Sequence, residues 1–332
     1  MEKHCIKCTN PFGRHIVNPI TGRELDFYPT EKGLICEICR DIEMAGSLPP
    51  QEELSAEFFS FLDSQKEILF AYSGGLDSTV VLVKLASECR TRGITLKLFT
   101  LKSGVKGTIA DRNVENVIDF LGLYDNHLSV DISSRIQDNK KVLEVAGKPL
   151  ATVDVYKACW EKGILPCGRI CNSMFDEVYD SIMSRLGFNL LITGGDTPKK
   201  NQSGRYSIFW KKPSGITIVR GACAFALTKA GNTRFVRENG IPWNNPECGG
   251  YDTDCLVPGA FFAKALSFKA EQPIEVVAEK YPIILDYLTE RVRFGVIDYE
   301  DGLRAASLVD IASPSSYAEL IEIFSNHFQK GD

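Results

Sequence analysis

The chain predicts an α/β fold built on a doubly wound parallel sheet, and three observations carry that expectation. From about residue 66 onward, short apolar runs alternate with helical stretches, as when helices cover a mainly parallel sheet. A glycine loop, Ser73-Gly74-Gly75-Leu76-Asp77-Ser78, falls between one such run and one such helix. A second loop, Thr193-Gly194-Gly195-Asp196-Thr197, ends another apolar run, on the sheet edge where ligands collect.

The elements follow in order. Residues 1–45 carry Cys5-x-x-Cys8 and Cys36-x-x-Cys39, two hairpins of the kind that set four thiolates around Zn²⁺ at about 2.3 Å. The stretch between them is longer than in an ordinary zinc ribbon and holds the turns Asn10-Pro11, Asn18-Pro19 and Thr21-Gly22. A ribbon-like module with an enlarged loop, folded by its metal, is expected there. A redox dithiol pair and unliganded thiols are the alternatives, and His4 and His15 read as surface histidines. Residues 46–65 supply a Pro-rich linker and a helix over 52–64, with Leu54, Phe58, Phe59 and Leu62 on one side.

The main domain spans 66–260. Strand 68–72 leads through the first loop into helix 78–91; strand 94–101, helix 108–121 and strand 127–132 come next. Helical segments over 133–162, a helix over 172–186 and strand 189–193 lead to the second loop. Strand 216–220 and helix 227–239 follow, and residues 261–332 read as a helical extension with candidates at 282–293, 299–309 and 316–328. Ser316 is a plausible N-cap of the last, with Glu319 three residues on. That extension shows no recognisable chemistry; packing on the core, a contact with a second copy of the chain and a part in substrate choice stay open.

The 332 residues are 44% hydrophobic and 24% charged, the composition of a soluble globular protein large enough for one ordinary domain with small appendages. No apolar stretch is long enough for a membrane span, and residues 1–20 are polar and unlike a signal peptide. The formal net charge of −5 argues against a surface that grips nucleic acid everywhere, though not against a local basic patch. Eleven cysteines in such a chain point to metal binding or sulfur chemistry rather than a disulfide framework, and a cytoplasmic location is expected.

The first loop is suited to an oligophosphate. Gly74 and Gly75 let the backbone turn tightly and approach a ligand. The N–H groups of the loop and of the following helix N-terminus then face one anion together. Asp77 offers a carboxylate for Mg²⁺, and Ser73 and Ser78 offer hydroxyl donors. An ordinary Gly-Gly turn is the bland alternative. No Walker A pattern occurs anywhere in the chain.

Ser-Gly-Gly-Leu-Asp-Ser between a strand and a helix resembles the PP-loop of the N-type ATP pyrophosphatases, whose fold is that of the adenine nucleotide alpha hydrolases. The resemblance in pattern runs from about Lys66 to Cys255. It implies ATP cleaved between its α- and β-phosphates and adenylation of a substrate carbonyl oxygen. It implies nucleotide contacts from Ser73, Gly74, Gly75, Asp77, Ser78, Thr193, Gly194 and Arg220, with Lys229 a weaker candidate of the same kind. Family members place a His or Asn after the glycine of the second loop; Gly195-Asp196 stands here, so Asp196 is either a magnesium or substrate contact or a plain turn residue. Several also carry an N-terminal pair of Cys-x-x-Cys hairpins, which supports the zinc reading of Cys5, Cys8, Cys36 and Cys39.

The remaining cysteines resemble those of the tRNA-thiolating members. Cys167 and Cys171 precede the 172–186 helix, and Cys248 follows Gly240-Ile241-Pro242. In those enzymes the trio binds a [4Fe-4S] cluster or carries a persulfide, which makes Cys167, Cys171 and Cys248 catalytic candidates beside Asp77. The pair here is spaced Cys-x₃-Cys rather than Cys-x₂-Cys, and Cys255 is an alternative ligand. A second zinc or buried inert thiols are the other readings. Cys89, Cys159 and Cys223 read as small buried hydrophobes.

Between the second loop and strand 216–220 lie Lys199, Lys200, Arg205, Lys211 and Lys212, interleaved with Tyr206, Phe209 and Trp210. Cations and rings of this kind suit single-stranded RNA; a charged loop with its rings tucked against the core is the equal alternative. The leading expectation is ATP-dependent adenylation followed by sulfur transfer to a tRNA base or a small-molecule base, with ATP, Mg²⁺ and a sulfur donor as partners. An amidotransferase acting on an N-acetyl sugar, with ammonia as nucleophile, is the alternative. A non-catalytic nucleotide-binding protein is the third class.

Overall fold

The computed structural model describes residues 4–10, 12, 25–102, 108–132, 172–243 and 282–308. The helical segments expected over 133–162, the helix over 316–328, and Cys159, Cys167, Cys171, Cys248 and Cys255 lie outside them.

A hairpin of β1 (Phe27–Thr30) and β2 (Gly33–Cys36) runs into α1 (Glu37–Ala45). The left-handed Gly46 ends α1, at φ 54°. The linker then enters α2 (Gln51–Asp63), which buries Leu54, Phe58 and Leu62 as the apolar spacing predicts. The main domain continues with β3 (Glu67–Ala71), α3 (Leu76–Arg92), β4 (Thr95–Lys102), α4 (Thr108–Leu121) and β5 (His127–Asp131). After α5 (Asn172–Leu186) come β6 (Leu190–Thr193) and four short strands: β7 (Lys199–Lys200), β8 (Tyr206–Ser207), β9 (Phe209–Lys211) and β10 (Thr217–Arg220). The described chain closes with α6 (Lys229–Glu238), α7 (Pro282–Arg293) and α8 (Tyr299–Leu308).

The main sheet has the order β5-β4-β3-β6-β10-β9. Every neighbouring pair is parallel except β9 on β10, an antiparallel edge that no strand expected from the sequence supplied. The chain steps outward from β3 through β4 to β5, then returns to place β6 on the other flank of β3. The switch point therefore lies between β3 and β6, and in open α/β sheets the crevice beyond the strand ends at that point is where ligands bind.

Strand β3 is buried on both faces, which is why it reads as an unbroken apolar run. Ile68 and Phe70 join Val80, Val81 and Leu85 of α3 and Val114, Val117 and Ile118 of α4 in one core. Leu69 joins Phe99, Leu191 and Ile218 under Val178, Ile182 and Met183 of α5 in the other. A third core surrounds Cys5, Cys8, Cys36 and Cys39 and is completed by Leu288 and Val292 of α7, with Ile297 just beyond it. No described helix is long and apolar enough to cross a membrane.

Candidate functional site

Both glycine loops lie at the switch point. Gly74 has φ 78°, and a Cβ on it would stand 2.3 Å from the Ala110 carbonyl oxygen and 3.0 Å from Val114 Cγ2. Only glycine lets this backbone turn and lie directly against α4. The buried indole of Trp243 donates through Nε1 to the Gly74 carbonyl at 2.9 Å. Gly75 caps α3 in an extended conformation with no side-chain hydrogen bond closing the helix end. Ser73 and Ser78 hold each other instead, Oγ to Oγ at 2.8 Å; Ser73 also accepts from Gly75 N–H at 3.3 Å.

The second loop touches the first. A Cβ on Gly194 would meet Ser78 Cβ at 2.9 Å, so glycine permits the close approach here too. Thr193 Oγ1 donates to Val219 O at 3.2 Å and accepts from Gly195 N–H at 3.3 Å, fixing the turn. Arg220 lies flat over Gly195, where a Cβ would be 2.4 Å from its Nε, and donates to Thr197 O at 2.9 Å.

A chain of charges fills the crevice. Lys229, in the first turn of α6, hydrogen-bonds Asp77 and stands 3.3 Å from Asp196. Asn232, one turn on, donates to the other Asp77 oxygen at 2.8 Å. Thr228 caps this helix by accepting from Gly231 N–H at 3.1 Å. Arg291 of α7 donates to Asp196 through Nε at 2.7 Å and Nη2 at 3.4 Å. Burial alone would raise the Asp196 pKa, but the charges of Arg291, Lys229 and Arg220 outweigh it and hold the carboxyl well below its ordinary range. Burial likewise opposes the charge on Lys229, and Asp77 and Asp196 reverse that to raise its pKa.

Asp77 has both carboxylate oxygens engaged, one by Lys229 and one by Asn232, with a second carboxylate, Asp196, across Lys229. Asp196 is 6% exposed and paired on two sides, more than a turn-forming Asp requires. Arg291 and Asn232 were not legible as site residues. The extension predicted to carry no recognisable chemistry delivers Arg291. The only local signal for Asn232 is its helical spacing from Lys229.

The zinc expectation meets a matching donor set. Sγ atoms of Cys5, Cys8, Cys36 and Cys39 all lie within 4.8 Å of one another and all four residues are buried. Backbone N–H groups of Lys7 and Cys36 donate to Cys5 Sγ at 3.4 and 3.3 Å, and Arg293 Nε to Cys39 Sγ at 3.2 Å. Four buried sulfur atoms this close, two of them receiving N–H donors, could hold a metal ion. Cys223 and Cys89 are buried as expected, and burial pushes their thiols up to about 12 and about 11.

The basic aromatic segment forms β7, β8 and β9, with its three rings half-buried and Lys200 and Lys211 exposed. Tyr206 packs on Phe294 and Phe209 on Phe61, with ring centroids 5.2 and 5.5 Å apart, and Trp210 joins the α5-side core. Lys199 pairs with Glu290, Arg205 with Glu53, and the buried Lys212 with Asp176 and Asp180. A cavity of about 350 Å³ has Asp196, Gln51, Cys223, Leu227 and Arg293 in its walls.

The fold and its two touching loops define an α/β protein with a crevice at the sheet's switch point. No family model matches the chain. The chain is 23% identical over 229 residues to an uncharacterized protein of Methanocaldococcus jannaschii, MJ1599, covering 67% of this chain and 72% of that one. Two solved structures are similar in backbone. The U34-tRNA thiolase NcsA of Methanococcus maripaludis, with its [4Fe-4S] cluster, aligns at TM-score 0.42 and 10% identity, over 100% of this chain and 90% of that chain. The NMN synthetase of Francisella tularensis aligns at 0.37 and 12%, over 85% and 94%. At that level of likeness, function rests on this chain's own residues.

Proposed function

We propose that the protein binds MgATP across the switch point and adenylates a substrate carbonyl oxygen, releasing pyrophosphate. One observation carries the reading: a tightly turned glycine loop, an uncapped helix N-terminus, a carboxylate and a lysine converge where a parallel sheet binds its ligand. Gly74 and Gly75 bring backbone N–H groups to the β- and γ-phosphates, and Lys229 adds charge there. Asp77, with Asp196 behind it, is the carboxylate suited to hold Mg²⁺ against substrate phosphates, and the bound ion supplies neutralisation of the departing pyrophosphate. The acceptor's oxygen attacks the α-phosphorus, the bond to the β-phosphate breaks, and the oxygen becomes a leaving group as AMP. A sulfur nucleophile handled by Cys167, Cys171 and Cys248 then attacks the activated carbon and expels AMP. The product is a thiolated base, of tRNA or of a small molecule.

A second reading keeps the activation step and takes ammonia as the nucleophile, with an N-acetyl sugar as acceptor. Two observations favour a small acceptor over RNA. The half-buried rings of Tyr206, Phe209 and Trp210 each pack on one side against the protein, and the cavity beside Asp196 has the volume of a small-ligand site.

The test is product analysis of ATP turnover with anaerobically purified protein. AMP and pyrophosphate are expected; ADP and phosphate would sink both readings. A brown protein with broad visible absorption selects sulfur transfer. A colourless, zinc-only, ammonia-dependent enzyme selects amidation.

A further inference from the structure

We infer that Arg291 is a positioning residue for the crevice: its charge decides how Lys229 is shared between Asp77 and Asp196. The inference rests on the nucleotide reading only for its consequence in binding.

Lys229 has two carboxylates within reach, hydrogen-bonding Asp77 and standing 3.3 Å from Asp196. The drier carboxylate is Asp196, with a side chain 7% exposed against 20% for Asp77. Coulomb attraction to the less solvated anion is the stronger at equal distance, because it grows as the local dielectric falls, though desolvation of the ammonium offsets part of it. Here the ammonium bridges the two, hydrogen-bonding the more solvated Asp77 and holding Asp196 at ion-pair distance. The reason lies on the far side of Asp196, where Arg291 already donates from Nε at 2.7 Å and Nη2 at 3.4 Å. With that charge in place Asp196 is largely neutralised, and Lys229 stays beside the loop with Asn232 bracing Asp77.

Arg291 is not required to hold its own helix. Leu288 and Val292 anchor α7 in the cysteine core, and Glu290 pairs with Lys199 at 3.1 Å. The turn after α7 also reaches the lysine directly, since Lys229 N–H donates to Val296 O at 3.1 Å. The guanidinium is therefore presented by a helix fixed on other grounds. Without its charge, Asp196 is left to Arg220, whose Nε is held by Thr197 O, and to Lys229, already 3.3 Å away, which is drawn further toward it. Transfer of the lysine strips the loop of the positive charge that faces the phosphates.

The experiment compares Arg291→Gln, Arg291→Lys, Asp196→Asn and the double variant Asp196→Asn/Arg291→Gln. Calorimetry reads the binding of magnesium with an α,β-methylene ATP analogue, and thermal melts are recorded in parallel. Arg291→Gln is expected to weaken binding about tenfold, the usual size of coupling within one ion-pair network. Arg291→Lys restores most of it. The double variant binds more tightly than Arg291→Gln, because removing the carboxylate removes the competing site. A packing role for Arg291 predicts no such recovery. Wild-type affinity in Arg291→Gln, or a double variant as weak as the single, overturns the inference. A crystal structure of Arg291→Gln gives a reading independent of nucleotide: Lys229 Nζ on Asp196 supports the inference, and Nζ still on Asp77 sinks it. Failure of the wild type to bind the analogue would refute the nucleotide reading, while the lysine's position still decides this one.

Discussion

Gly74→Ala tests the seating of the first loop. Its φ of 78° puts any L-residue in the left-handed region, a penalty of about 1–2 kcal/mol. Its new Cβ would also lie 2.3 Å from the Ala110 carbonyl oxygen, where ordinary carbon–oxygen contacts begin near 3.3 Å. The loop or α4 must therefore move by about 1 Å, with an overpacking penalty of about 1–3 kcal/mol. Together these give about 2–5 kcal/mol in urea unfolding. Gly93→Ala is the matched control. It has φ 67° with nothing within 4 Å of its Cβ, so it carries only the conformational penalty. A displacement of about 1 Å is also the scale at which enzymes lose about 10²-fold in turnover. ATP-dependent pyrophosphate release in Gly74→Ala is expected to fall by about that factor, with Gly93→Ala unaffected. If the two variants unfold at the same urea concentration, the loop is not held against α4 and the cradle argument fails.

Two further outcomes follow from the same geometry. The protein as purified is expected to carry zinc on Cys5, Cys8, Cys36 and Cys39; chelation, or Cys36→Ser, should raise hydrogen exchange across α7 as well as α1, because Leu288 and Val292 share that core. Metal analysis without zinc, or exchange in α7 indifferent to it, would contradict this. Asp196 is expected to contribute to the acid limb of stability. Its folded pKa lies below the unfolded value of about 3.9, so its contribution is complete above about pH 4–5 and is lost as pH falls through the depressed native value. Asp196→Asn should take up fewer protons on acid unfolding than the wild type, and equal uptake would show that the pairing with Arg291 and Lys229 does not persist in solution.

Local patterns were legible because local physics decides them. The apolar run of β3, the glycines after it and the helical periodicity of α5 and α7 are each written within a few consecutive residues. The whole of β9 was not, since Phe209-Trp210-Lys211 sits among cations that read as a loop. The structure buries Ile208 beside it and draws Lys212 inward onto Asp180 at 2.7 Å. Cation choice was the least legible feature. Lys229 and Asp77 are 152 positions apart, and Arg291 and Asp196 are 95 apart, so no spacing links them. What brings them together is topology. The return of β6 to the flank of β3 sets Asp196 beside Asp77, and the packing of α7 on the cysteine core aims Arg291 at the result. A helix whose sequence shows no chemistry becomes part of a site because the module that anchors it lies next to the crevice. The cysteine module therefore acts beyond its own fold, since through α7 it sets where one of the site's charges stands.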